Sequence, residues 1–161
     1  MIPSYAGNVL HTKNLALLGA VTAIMFASSC AAQLLVRNGA PPVQAQAGGL
    51  ILLALGLLAL VLATPLHLPV LLIIDAALAG VGHGLAFLAA QDNLTQIAPE
   101  RQRAQISAAF YVCIYLGVAV PVIGIGLLAT AFSLFTGVAV FAAVTGTTAL
   151  VVAGWHLRHR R

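Results

Sequence analysis

Residues 104–157 read AQISAAFYVCIYLGVAVPVIGIGLLATAFSLFTGVAVFAAVTGTTALVVAGWHL, and not one of them carries a formal charge. A helix crosses a hydrocarbon core of about 30 Å in about 20 apolar residues, so this run is too long for one crossing and suits two. Polar residues punctuate it at 130–134, where Thr130 and Ser133 place a hinge between spans at 105–130 and 133–156.

Working toward the N-terminus, the chain divides at charges and helix breakers. A charge-free run at 14–36 ends at Arg37-Asn38-Gly39-Ala40-Pro41-Pro42, a turn that no helix continues through. The next uncharged run, 38–74, is again too long for one span, and Thr64-Pro65-Leu66-His67-Leu68-Pro69 splits it into helices at 45–64 and 69–91. What remains is an N-terminal segment at 1–13, a basic loop at 92–104 and a basic tail at 157–161. The expected fold is all-α: a polytopic bundle of about five membrane-spanning helices.

Composition excludes the main alternatives. Of 161 residues, 61% are hydrophobic and 6% charged, too few polar groups to cover a water-soluble globule, so lipid is the expected solvent. The net charge of +4 comes from basic residues scattered singly between apolar runs, which argues against a nucleic-acid partner. Cys30 and Cys113 lie within apolar runs and read as small buried hydrophobes, neither a disulfide nor a metal pair. No local signature of hydrolase, metal or nucleotide chemistry is found, so no enzyme activity, cofactor or metal is expected. Residues 1–13 lack the basic start and short apolar core of a secretory leader.

Orientation follows from the arginines. In the five-span model Arg37, Arg101, Arg103, Arg158, Arg160 and Arg161 share one side and Lys13 alone takes the other, which places the C-terminus in the cytoplasm of a cell that carries the protein in its plasma or inner membrane. Trp155 and His156, just before the tail, suit headgroup-level anchors.

Few residues can carry chemistry. Asp75 is the one acidic residue inside an expected span; a carboxylate there faces a bundle interior or an aqueous cavity, where taking up a proton can serve as a coupling step, unless it stays hydrated near the interface. His83 lies eight residues on, about 12 Å along the axis and rotated by about 80°, so it shares a broad face with Asp75 without touching it. A hydrogen bond to a neighbouring helix and a place on a proton path are both open to it. Gly80, Gly82 and Gly84 permit close approach of neighbouring helices, for packing or for sliding, and Pro121, Gly124 and Gly126 interrupt the fourth span as a packing site or a gating bend. Asp92, at the end of the third span, is within loop reach of Arg101 or Arg103.

The stretch Gly80-Val81-Gly82-His83-Gly84-Leu85-Ala86-Phe87, followed by Ala98-Pro99-Glu100-Arg101-Gln102-Arg103, resembles the C-terminal half of major facilitator superfamily transporters, and the resemblance covers almost the whole chain. That half has six helices and a cytoplasmic tail, so the five spans look like helices eight to twelve, and Ile2-Pro3-Ser4-Tyr5 like the end of helix seven. Pro99, Arg101 and Arg103 are similar to the family's basic cytoplasmic loop between helices ten and eleven, whose role is conformational. Pro121 to Gly126 only faintly echoes the antiporter signature of helix five, and no antiport is inferred.

The resemblance implies one half of a proton- or ion-coupled secondary active transporter that moves a small molecule by alternating access, and Asp75 and His83 are the residues expected on its path. Family substrates bind between two halves near the bilayer midplane, so the chain looks cut at its start and, without an N-terminal half, is not expected to transport alone. The rival reading is a non-transporting multi-pass protein, an accessory subunit or an inert truncated product, whose polar residues serve packing and topology.

Overall fold

The computed structural model describes residues 15–36, 42–66, 68 and 70–158. Lys13, Arg37, Arg160, Arg161, Pro69 and the segment 1–13 with Ile2, Pro3, Ser4 and Tyr5 lie outside the described residues. Five helices are long and apolar enough to cross a membrane. They are α1 (Leu15–Val36), α2 (Pro42–Ala63), α3 (Val70–Ile97), α4 (Arg103–Ala131) and α5 (Leu134–Arg158), with a single 3-10 turn at Glu100–Gln102 before α4. No strand is found among the described residues. In lipid a backbone must satisfy its own hydrogen bonds, and long apolar runs do so by winding into helices.

Each helix end is closed by local chemistry. Pro42 opens α2, where a missing N–H costs nothing. After α2, Leu66 N–H donates to Leu62 O at 3.2 Å and Leu68 N–H to Ala63 O at 3.3 Å, using carbonyls that the helix leaves free before Pro65 ends it. Between α4 and α5 the chain turns at Phe132 and Ser133. The Ser133 Oγ accepts from Thr136 N–H at 3.1 Å, an N-cap at the start of α5.

One end departs from the reading of the sequence. α3 does not stop at Gln91 but runs on to Ile97, and α4 starts at Arg103, so the connection shrinks to Ala98–Gln102. Polar residues end a membrane crossing without ending a helix: Thr95 Oγ1 bonds back to Gln91 O at 3.1 Å and Asp92 O at 2.9 Å, and Asn93 Nδ2 donates to Gln46 Oε1 of α2 at 3.4 Å.

The centre of the bundle is α3. α1 packs on one side of it and α2 on another; α5 packs on α2, and α4 reaches α5 with its second half and α3 with its first. Between α2 and α3 the backbones nearly touch: a Cβ added to Gly82 would lie 2.5 Å from both Gly49 O and Leu53 N, and one on Gly56 would lie 2.7 Å from Ala79 N. Lipid is as apolar as leucine, so this close backbone approach, not exclusion from water, holds such helices together. Leu57, Leu60 and Ala63 of α2, Leu72 of α3, and Val138 and Ala142 of α5 form the buried core at the end of the bundle away from Arg101 and Arg158.

Cys30 and Cys113 are free and exposed, which corrects their reading as buried. An outer surface that meets lipid is as apolar as the interior, so an apolar run does not tell the inward face from the outward one.

Candidate functional site

The residues of interest lie on three faces of α3. Asp75 is 3% exposed, about 7.5 Å along the helix from Val70. It shares a stripe with Ala79, Gly82 and Ala86, the residues whose backbones meet Gly56 and Gly49 of α2, so it sits on the α2-facing side. The Asp75 carboxylate makes no hydrogen bond or ion pair among the described residues.

A second stripe, about 100° around the helix, faces α1. A Cβ added to Gly80 would overlap Ser28 Oγ and Met25 O, and one on Gly84 would lie 2.6 Å from Ser29 O. The Ser28 hydroxyl fits there because its own helix accepts its proton, at Ile24 O (2.8 Å) and Met25 O (3.0 Å), with Ala76 O of α3 at 3.4 Å. Gly80, Gly82 and Gly84 thus stand at contacts where no larger residue fits.

The third feature is an open face. His83 is exposed on α3, about 20 Å from Val70 and about 21 Å from Ile97, which is the middle of the helix. Its ring stacks on Phe87 at 6.3 Å and 23°, Phe87 meets Phe110 of α4 at 6.3 Å, and Phe110 meets Tyr111 at 6.1 Å. One turn further along α3, Gln91 Nε2 donates to the Tyr111 hydroxyl at 3.1 Å. Tyr115, one turn past Tyr111 and 73% exposed, lies about 18 Å along α4 from Arg103, near the middle of that helix. Neither the His83 imidazole nor the Tyr115 hydroxyl has a hydrogen-bond partner among the described residues.

Asp75 and His83 are therefore not brought together: one is buried toward α2, the other open beside α4. Tyr111 and Tyr115 went unnoticed in the sequence. Two tyrosines one helical turn apart in the middle of an apolar run were the available signal, because a phenol is out of place at mid-membrane depth.

At the basic end, Pro99 starts the turn between α3 and α4, closed by Gln102 N–H to Pro99 O at 2.9 Å. Arg103 Nε donates to Ala98 O at 3.4 Å, spending its donor on the frayed end of α3, and Arg101 is exposed. Asp92 forms no ion pair with either arginine. Gly124 and Gly126 need correction as packing residues: a Cβ on either meets nothing within 4 Å. The reason is that α4 touches α5 through Ile125, against Gly137, while Pro121 and Gly124 line an apolar groove of about 280 Å³ between the two helices.

The model of the family described as Major Facilitator Superfamily matches residues 1–121, which takes in α1 to α3, the Pro99 turn and α4 as far as Pro121. No curated protein and no solved structure matches the chain. With three quarters of its length matched, the chain belongs to the Major Facilitator Superfamily, a transporter family, and is a multi-pass membrane protein.

Proposed function

We propose that the chain supplies helices eight to twelve of a secondary active carrier that moves a small molecule by alternating access, with its C-terminus in the cytoplasm. The observation that carries this is the open face of α3 and α4. An imidazole and a phenol without partners among the described residues lie exposed at the middle of two spanning helices. Facing hydrocarbon, each would cost several kcal/mol, roughly, in unsatisfied polar groups; facing a water-filled path, neither does. In a carrier of two halves, the open face of one half looks onto that path.

Asp75 supports a coupling role. It is a buried acid on the glycine-lined contact between α2 and α3, and a proton taken up or lost there changes the cost of keeping the two helices closed. The Pro99, Arg101 and Arg103 turn links the path-lining helices at the cytoplasmic surface, where a shift of α3 passes to α4.

Thiol labelling in the membrane tests the reading. In a Cys30→Ser, Cys113→Ser background, His83→Cys and Tyr115→Cys react with a charged, membrane-impermeant thiol reagent, whereas Val151→Cys, exposed on α5, stays inert. If all three positions are equally inert, the open face meets lipid or protein, and a non-transporting membrane protein is the better account.

A further inference from the structure

The open face also has a chemical character. We propose that it takes a flat, uncharged, ring-bearing solute with a hydrogen-bonding edge, stacked on Phe87 and Phe110; this rests on the carrier reading and names its substrate class.

The ring contacts run without a break from His83 through Phe87 and Phe110 to Tyr111, across the seam between α3 and α4. Aromatic faces reward a planar partner through offset or edge-to-face contact, beyond the area they bury. The polar groups on the face are few and are an imidazole, phenols and an amide: His83, Tyr115, and the Gln91–Tyr111 pair already bonded to itself. A polyhydroxylated solute would leave most of its own donors and acceptors without partners against such a wall.

Fixed charge lies elsewhere. Asp75 is on the α2-facing stripe, and Arg103 is about 18 Å along α4 from Tyr115. An ion on this face would be stripped of water with no countercharge, which is expensive at mid-membrane depth. An uncharged planar ring with one polar edge meets every group on the wall and asks for nothing that is absent from it.

Benzamide and cyclohexanecarboxamide make the probe pair, since both are neutral amides of similar size and only one has a flat ring. The protein, with Cys30→Ser, Cys113→Ser and Tyr115→Cys, is held in lipid nanodiscs and the rate of thiol labelling is followed. Benzamide slows labelling in a saturable way and cyclohexanecarboxamide does not. Phe87→Leu and Phe110→Leu each weaken that protection by about threefold or more, the size of an aromatic contact, when each is read against its own unprotected rate. Phe132→Leu, at the outer turn, keeps full protection.

Equal protection by both amides, or protection untouched by the two leucine variants, overturns the stacking site. Normal labelling with no protection by benzamide overturns it too while leaving the carrier reading intact. Absence of labelling without any amide defeats the carrier reading and this proposal with it.

Discussion

At the scale of single residues, the glycines separate two roles that composition cannot. Gly80 and Gly124 look alike in the sequence, each inside an apolar span, yet a methyl group on the first would overlap Ser28 and Met25 while one on the second meets nothing within 4 Å. Gly80→Ala therefore destabilises the folded bundle by about 1–3 kcal/mol, the usual range for overpacking. Gly124→Ala stabilises it by roughly 0.5–1 kcal/mol, because alanine loses less backbone entropy in a helix. Unfolding in mixed micelles reads both; the same sign for the two would refute the assignment of contacts. Asp75→Asn is a sharper probe. A carboxylate held by a cation would leave that cation buried and cost about 3–5 kcal/mol on neutralisation, whereas one without a partner loses no ion pair. The expected result is an unfolding midpoint at pH 7 no lower than that of the unsubstituted protein. Asp75 and His83 were legible as candidates because polar residues are conspicuous in an apolar span. That Asp75 is buried and His83 exposed was not, since rotation about one helix is known from the sequence but the neighbours around it are not.

Helix-scale features follow the same division. The five spans were legible because bilayer thickness sets their length and Pro, Arg and Ser mark their ends. The continuation of α3 to Ile97 was not, because Asp92, Asn93 and Gln96 suit a helix in water as well as they suit a loop, and hydropathy registers only where lipid ends. The turn at Phe132–Ser133 rests on one cap, so Ser133→Ala is expected to cost about 1 kcal/mol in the same unfolding assay. The link between α3 and α4 rests on the Gln91–Tyr111 hydrogen bond and the Phe87–Phe110 contact. In a double-mutant cycle, Gln91→Ala and Tyr111→Phe should couple by about 0.6 kcal/mol, the mean for polar contacts between membrane helices. Additive effects would mean that the two side chains do not bond in the membrane.

For the whole molecule, the arrangement of helices has a consequence for how the protein sits in its membrane. α3 and α4 both end at the turn with Arg101 and Arg103, and α5 ends at Arg158, so three arginines gather at one end of the bundle, while Lys13, at the far end of α1 in sequence, is the single basic residue expected opposite. Short loops rich in arginine stay in the cytoplasm, which orients every helix at once. A fluorescent protein fused after Arg161 should fluoresce, and alkaline phosphatase at the same site should be silent; inserted after Leu66, between α2 and α3, the phosphatase should be active. The opposite pattern would put the Pro99 turn outside the cell and end its reading as a cytoplasmic linkage. Because α4 buries only Ile125 among its described residues, most of its surface is still to be covered by lipid or by another bundle. In the proposed orientation the seam between the first turns of α4 and the end of α3 opens toward the cytoplasm, and among the described residues it is closed by the Phe87–Phe110 contact and the Gln91–Tyr111 hydrogen bond instead of by glycines.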